Sequence, residues 1–373
     1  MRIGVPLETR PGETRVAATP ETVKKLVAQR HTVVVQAGAG LAASQPDPAY
    51  ADVGATIGTA ADALGADMVL KVRSPTADEL KHMKRGTVVV GMLEPFNSEG
   101  LAELNNAGLT AFALEAAPRT TRAQSMDVLS SQANIAGYKA VLLAADTYRR
   151  MMPMMMTAAG TSKAARLVVL GAGVAGLQAI ATAKRLGAVV EASDVRPAVK
   201  EQIESLGAKF IDVPYETDEE REIAQGVGGY ARPMPAAWMQ RQAAEVAKRI
   251  ALADIAISTA LIPGRKAPVL ITEDMVKSMK PGSVILDMAV EQGGNCALSE
   301  VGKTVVKHNV YIIGLPNLPA RVAADSSAFY ARNVIDFLKL VFDKDGNFVV
   351  NKEDDIVVAC LMCKDGELLR KNP

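Results

Sequence analysis

Aromatic residues are scarce, 4% of a 373-residue chain with a single Trp, although 49% of it is hydrophobic. A core short of rings has to be built from Ala, Val, Ile and Leu, the palette of an α/β protein with buried parallel strands. Cysteine is scarce too. Three residues exclude a disulfide framework and suit a reducing compartment. Only His31, His82 and His308 offer an imidazole, so general acid–base capacity is thin. The net charge is +1 with both signs interspersed, which gives no electrostatic footprint for nucleic acid or an anionic membrane. No run approaches roughly 18 uncharged apolar residues, so nothing is expected to span a bilayer. The N-terminus MRIGVPLETRPGETR carries charges throughout and does not read as a signal peptide. A soluble, cytosolic chain is expected.

What is present is strand–helix alternation, at a length that suits two domains. RIGVP, HTVVVQ, ADMVLKV, TVVVGML and LTAFALE read as strands, and TPETVKKLVAQR as a helix with Thr19 as N-cap and Pro20 at its first position. A second series starts at ARLVVLGAGVAG and continues through AKFIDVP, ADIAISTAL, GSVILDMAV and VYIIGLPN. Between the series lie a helix over about 131–150 and the run MMPMMM, read as adaptable packing near a hinge. SAFYARNVIDFLKLVF predicts an amphipathic helix with Phe329, Val334, Phe337 and Leu338 inward. The tail DKDGNFVVNKEDDIVVACLMCKDGELL reads as strands joined by Asp-Gly turns, packing back on the first domain. The first domain is therefore set at 1–130 plus 320–373 and the second at 131–319. The segment 213–235, rich in Glu, Gly and Pro, is either a mobile functional loop or a solvated insertion.

GAGVAG, Gly171 to Gly176, follows the strand RLVVL and opens a helix at Val174. A lone G-x-G-x-x-G is common, but between a strand and a helix it specifies a dinucleotide turn. Gly171 would make the turn, Gly173 would let backbone approach a pyrophosphate, and Gly176 would allow close helix–strand packing. The helix N-terminus favours the anion. Asp194, followed by Val195 and Arg196, lies 18 residues past Gly176 at the end of the next strand. A carboxylate there suits the ribose of NAD(H), although Arg196 would also suit a 2′-phosphate. The fold class is accordingly α/β, two Rossmann-like domains with mostly parallel sheets and the cofactor in the interdomain cleft.

RTTRAQSMDVLSSQ, residues 119–132, crowds polar side chains between apolar segments. It either caps a helix, through Asp127 and its serines, or holds a ligand that needs no proton transfer. Lys71 and Arg15 are each candidates for acid–base work or for binding a carboxylate; isolated surface charges are the commoner case. Cys360 and Cys363 read as structural, DKDGN (343–347) as a turn rather than a calcium loop, and no metal site is expected.

Together RPGETRVAATP, RAQSMDVLSSQ, GYKAV, PMMMTAAGT, GAGVAGLQAIATAKRLGAVV, KEQIESLGAKF, TALIPG, MKPGSVI, EQGGNC and ARVAAD resemble the NAD(H)-binding domain I of proton-translocating nicotinamide nucleotide transhydrogenase over nearly the whole chain. The related alanine dehydrogenases share the fold but place a catalytic His where this chain reads GMLEP (91–95), which argues against an amino-acid dehydrogenase. Many transhydrogenases carry a His-Leu pair there, and this chain reads ML. The resemblance implies direct hydride transfer between NAD(H) bound here and NADP(H) on a partner domain III, coupled to proton movement through a membrane-spanning domain II. It implies that Arg119, Asp127 and Ser130 orient the nicotinamide, that Gln124 reaches toward the partner nucleotide, and that Leu261 lines the pocket. Gly229 and Tyr230 would belong to a loop closing over the nucleotide. It further implies a homodimeric, separate subunit, peripheral on the cytoplasmic face of the inner membrane.

Overall fold

The structure is a computed structural model that describes residues 1–224, 234–262 and 264–370. In chain order its strands are β1 (Arg2–Val5), β2 (Thr32–Gln36), β3 (Thr56–Gly58), β4 (Met68–Arg73), β5 (Val88–Met92), β6 (Thr110–Ala113), β7 (Met155–Thr157), β8 (Gly160–Ser162), β9 (Arg166–Leu170), β10 (Val189–Ser193), β11 (Lys209–Phe210), β12 (Ile255–Ser258), β13 (Val284–Asp287), β14 (Lys303–Lys307), β15 (Val310–Gly314), β16 (Leu361–Lys364) and β17 (Glu367–Leu368). Two compact units divide the chain: Met1–Gln132 with the residues from Pro319 onward, and Ala133–Leu318.

The first unit holds a sheet in the order β17-β16-β6-β5-β4-β1-β2-β3, parallel from β6 to β3, with β16 and β17 antiparallel. Its strands are buried runs rather than alternating ones, as a sheet covered on both faces demands. The helix Pro20–Ala28 starts where the proline pre-sets φ; the Thr19 N–H donates to Thr22 Oγ1 at 2.9 Å, and Val23 and Leu26 face the core. The helix Ala323–Val341 buries Val334, Phe337 and Leu338. Phe329, expected on that face, is instead 43% exposed.

The second unit holds the order β11-β10-β9-β12-β13-β15-β14, parallel except for β14, an edge strand that the sequence pattern does not reveal. β7 and β8 form a separate hairpin. Its methionines are outward: Met154, Met155 and Met156 are exposed, so the packing expected for the MMPMMM run is met within this unit only at Met152.

One further expectation is corrected in the tail. Residues Asp355–Cys360, read as strand, form a helix. Asp354 caps it, accepting the Ile356 and Val357 N–H groups at 3.0 and 3.1 Å, and Arg122 holds that carboxylate from 232 positions earlier in the chain. A cap and a long-range ion pair outweigh the strand preference of its valines.

In each unit the first sheet strand, β1 or β9, lies where the strand order reverses. That reversal opens a crevice outside the C-terminal strand ends, the usual place for a ligand in such sheets.

Candidate functional site

At β9 the crevice is built from glycine. Gly171 has φ +95°, which side-chain-bearing residues rarely adopt, and a Cβ there would sit 2.9 Å from Thr259 Oγ1. That hydroxyl donates to the Gly171 carbonyl at 2.9 Å. At Gly176 a Cβ would come within 1.9 Å of the same carbonyl, so the helix Val174–Arg185 approaches the turn this closely only because position 176 is bare. Gly173 differs. A Cβ there meets nothing within 4 Å, and φ −74°, ψ −168° is ordinary extended backbone. Among the described residues nothing demands glycine at 173; a ligand pressed against the backbone would. The helix has no side-chain cap, and Val174 beside its start is exposed, so its first N–H groups face outward without a side-chain acceptor. Gly137 supports the arrangement: on the helix Val128–Thr147 its absent side chain admits the Ala175 carbonyl, 2.1 Å from where a Cβ would lie.

Asp194 and Arg196 form one unit with this turn. The carboxylate accepts the Ala172 N–H at 2.8 Å, the Arg196 N–H at 2.8 Å, and the guanidinium Nε and Nη2 at 2.9 Å each. Val195 between them is half-buried. The arginine thus faces the carboxylate, which lowers its availability for a second anion. Beyond β12, Leu261 is 42% exposed. Its loop is held by Asn295, fully buried, which accepts the Ala260 N–H and donates to the Ala260 and Pro268 carbonyls at 2.9 and 2.8 Å. Asp287 at the end of β13 does similar work, accepting the Cys296 N–H at 2.9 Å and the Ser299 hydroxyl at 2.7 Å. Sequence reasoning missed both; a buried Asn in a loop or Asp ending a parallel strand looks like any turn residue until its partners are known. It also missed a cavity of about 220 Å³ beside Asp194, where Tyr215 stacks on Trp238 with centroids 6.0 Å apart. The lone Trp was the available signal.

In the first unit, Asp127 accepts the Ser130 N–H at 2.8 Å and its hydroxyl at 2.5 Å, capping the helix that starts at Val128. Ser131 donates to Asn333 Oδ1, and Gln132 accepts from Arg15 at 2.7 Å while donating to the Ser326 carbonyl. Arg122 pairs with Asp354 and Asp355. The capping alternative is therefore realised for Asp127 and the serines. Arg119 and Gln124 are exposed on the same stretch.

Arg15 and Lys71 are not surface charges, the commoner case weighed for them. Both are buried. Arg15 makes a two-pronged contact with Glu13 at 2.8 and 2.7 Å, and Arg73 adds to it at 3.2 Å. Lys71 lies 2.8 Å from Glu79 and 3.3 Å from Glu8. Burial pushes the Glu8 carboxyl up, against the Lys71 charge. Burial also opposes ionisation of Glu13, but the Arg15 hydrogen bonds prevail and hold it at about 2. Both cations are therefore paired with buried carboxylates.

Residues 4–136 match the family model described as alanine dehydrogenase/PNT, N-terminal domain, and residues 140–371 the alanine dehydrogenase/PNT, C-terminal domain. The chain belongs to the alanine dehydrogenase/PNT family. Within it, the chain is 53% identical over 378 aligned positions to the first portion of the NAD(P) transhydrogenase alpha subunit of Rhodospirillum rubrum, covering 99% of this chain and 98% of that one. To alanine dehydrogenase 1 of Staphylococcus aureus it is 30% identical, over 92% and 88% of the two chains. A transhydrogenase crystal structure from Sinorhizobium meliloti superposes with a TM-score of 0.89 at 50% identity, covering 99% and 100%. An L-alanine dehydrogenase structure gives 0.80 at 26% identity, covering 99% and 96%.

In this family member the GMLEP segment is held by Glu115, whose carboxylate accepts the Leu93 and Glu94 N–H groups at 3.1 and 2.7 Å and so sustains φ +57° at Glu94. Burial pushes the Glu115 carboxyl up to about 7. Burial likewise raises the Cys360 and Cys363 thiols to about 12 and about 11, which keeps them inert. Among the described residues no group of His, Cys, Asp and Glu is placed to hold a metal, and no helix is long and apolar enough to cross a membrane. Gly229 and Tyr230 lie outside the described residues.

Proposed function

We propose that this chain is the NAD(H)-binding subunit of a proton-translocating transhydrogenase, passing hydride between NAD(H) bound here and NADP(H) on a partner protein. The observation that carries the reading is the turn at β9: closed to side chains at Gly171 and Gly176 by the chain itself, yet open at Gly173 among the described residues, as backbone that a ligand approaches closely would be. The pyrophosphate of NAD(H) would rest on the N–H groups at Val174 and beyond, with the ribose toward Asp194 and Val195, and with Leu261 beside the nicotinamide. Arg119 would contribute polar contacts to the nicotinamide, with Asp127 and Ser130 positioning the stretch that carries it, and Gln124 would reach toward the partner nucleotide. The R. rubrum relative, named as a portion of a transhydrogenase α subunit, supports a complex of more than one subunit. In this reading a membrane-spanning subunit and an NADP(H)-binding subunit complete the activity, and the chain docks on them as a homodimer at the cytoplasmic face.

Transfer between two nicotinamides moves no proton at the reacting carbon, so the chain's task is to hold two rings at a fixed approach. The neutralised Arg15 and Lys71 fit that task better than an amino-acid dehydrogenase, which needs a cation for its substrate and an acid–base group.

The test mixes the purified chain with an NADP(H)-loaded transhydrogenase domain III and follows NADH-dependent reduction of acetylpyridine-NAD⁺. Turnover only when both proteins are present is expected, and Gln124→Asn should slow it while NADH binding holds. Tight NADH binding without turnover, or turnover of pyruvate and ammonia by the chain alone, would overturn the reading.

A further inference from the structure

The chain leaving β12 runs beyond its sheet before it reaches Leu261. The last residue of β12 in the ladder is Ser258, set against Leu170 of β9 and Asp287 of β13. Thr259 extends the attachment on the β9 side, its N–H donating to the Leu170 carbonyl at 2.8 Å and its hydroxyl to the Gly171 carbonyl at 2.9 Å. One side chain then holds Ala260 at both ends. Asn295 Oδ1 accepts the Ala260 N–H at 3.0 Å, and Asn295 Nδ2 donates to the Ala260 carbonyl at 2.9 Å. The same Nδ2 donates to the Pro268 carbonyl at 2.8 Å, further along the loop. A primary amide offers an acceptor and two donors in one plane, and Ala there would leave all three backbone groups without this partner.

The turn after β13 delivers this amide. Gly293 and Gly294 have φ +96° and +79°, and a Cβ at Gly294 would lie 2.8 Å from Asp287 Oδ2. The Asn295 carbonyl in turn accepts the Leu270 and Ile271 N–H groups at 2.8 and 2.9 Å. Asn295 is fully buried and does not itself meet a nucleotide, whereas Leu261, one residue past the clamp, is exposed. The strand order β10-β9-β12 sets which part of a dinucleotide Leu261 meets. With the pyrophosphate at Gly173 and the adenosine ribose at Asp194 on the β10 side, the nicotinamide end falls on the opposite side of β9, over β12.

We infer that Asn295 is a positioning residue for the nicotinamide ring: it fixes Ala260, and through it Leu261, at a set distance from the pyrophosphate turn. The inference rests on the reading of the β9 turn as an NAD(H) site. Its consequence is selective. The pyrophosphate and ribose contacts that hold the nucleotide do not involve Asn295, but the angle at which the ring meets its partner depends on the wall behind it.

The full chain, ¹³C-labelled at leucine methyls, would be saturated with NADH and examined for nuclear Overhauser contacts, then assayed with NADP(H)-loaded domain III. A contact between the Leu261 methyls and the nicotinamide protons is expected. Asn295→Ala should abolish it and lower turnover at saturating NADH between about 10- and 100-fold, with NADH affinity changed by less than about threefold. Leu261→Ala should give the same split, and the double variant should fall no further than the worse single one. A wild-type chain without the contact, an Asn295→Ala chain that keeps it, affinity and turnover lost in proportion, or additive losses would each overturn the inference. If Asn295→Ala does not fold, Leu261→Ala decides, since that side chain is exposed and unchanged turnover there removes the residue through which Asn295 acts. A wild-type contact without turnover would instead sink the transhydrogenase reading, and the loss or retention of the contact in Asn295→Ala would still decide the inference.

Discussion

The two units place opposite chemistry at equivalent points. Each has a parallel sheet whose order reverses at its first sheet strand, β1 or β9. After β1 the crevice is filled by side chains: Glu8, Glu13 and Glu79 against Arg15, Lys71 and Arg73, almost all buried. After β9 it is lined by backbone, with side chains deleted at Gly171, Gly173 and Gly176. A saturated ion network resists substitution and offers little to a ligand. A bare turn at a helix N-terminus offers N–H groups and space. Similar topology therefore does not mean similar function; the occupants of the switch point decide it.

The largest effect should come from breaking the filled crevice. Lys71→Met leaves Glu8 and Glu79 buried without their cation, and should cost about 3–5 kcal/mol in urea unfolding while NADH affinity of the remaining folded protein holds. Next, the bare crevice separates two glycines. Gly176→Ala drives a Cβ into the Gly171 carbonyl and should cost about 1–3 kcal/mol, whereas Gly173→Ala should leave stability within about 0.5 kcal/mol yet weaken NADH binding measured by its fluorescence. If both variants lost only stability, the open space at Gly173 would have no ligand meaning.

Glu115 gives a pH effect confined to the first unit. Its carboxyl sits near 7 in the folded protein against 4.5 for the ordinary group, so between those values the folded state holds the extra proton. Its contribution to stability is complete below about 4.5 and is lost as pH rises through 7, on the order of 1–3 kcal/mol. Glu13, held at about 2, acts oppositely: its contribution is present above 4.5 and lost as pH falls toward 2. Glu115→Gln should flatten unfolding free energy between pH 5 and 7; an unchanged slope would show that another group titrates there. The smallest change is Asp127→Ala, which removes a helix cap and should cost about 1 kcal/mol by thermal unfolding. A loss of NADH affinity beyond what that cap explains would mean that Asp127 also touches the nucleotide.

The sequence alone was enough for the α/β class, the buried strands and the glycine turn, because each is local. Strand runs, a Pro after a Thr, and glycines between strand and helix are short patterns with one favoured backbone. Tertiary structure decided the rest. Lys71 reads like any strand-end lysine until Glu8 and Glu79, from other elements, close around it. Asp355–Cys360 is helical because Arg122 and Asp354 meet. Gly173 and Gly176 look alike in the motif, yet one faces space and the other a carbonyl at contact distance. Burial and partnership across long sequence separations are properties of packing, and a linear pattern does not encode which groups packing brings together.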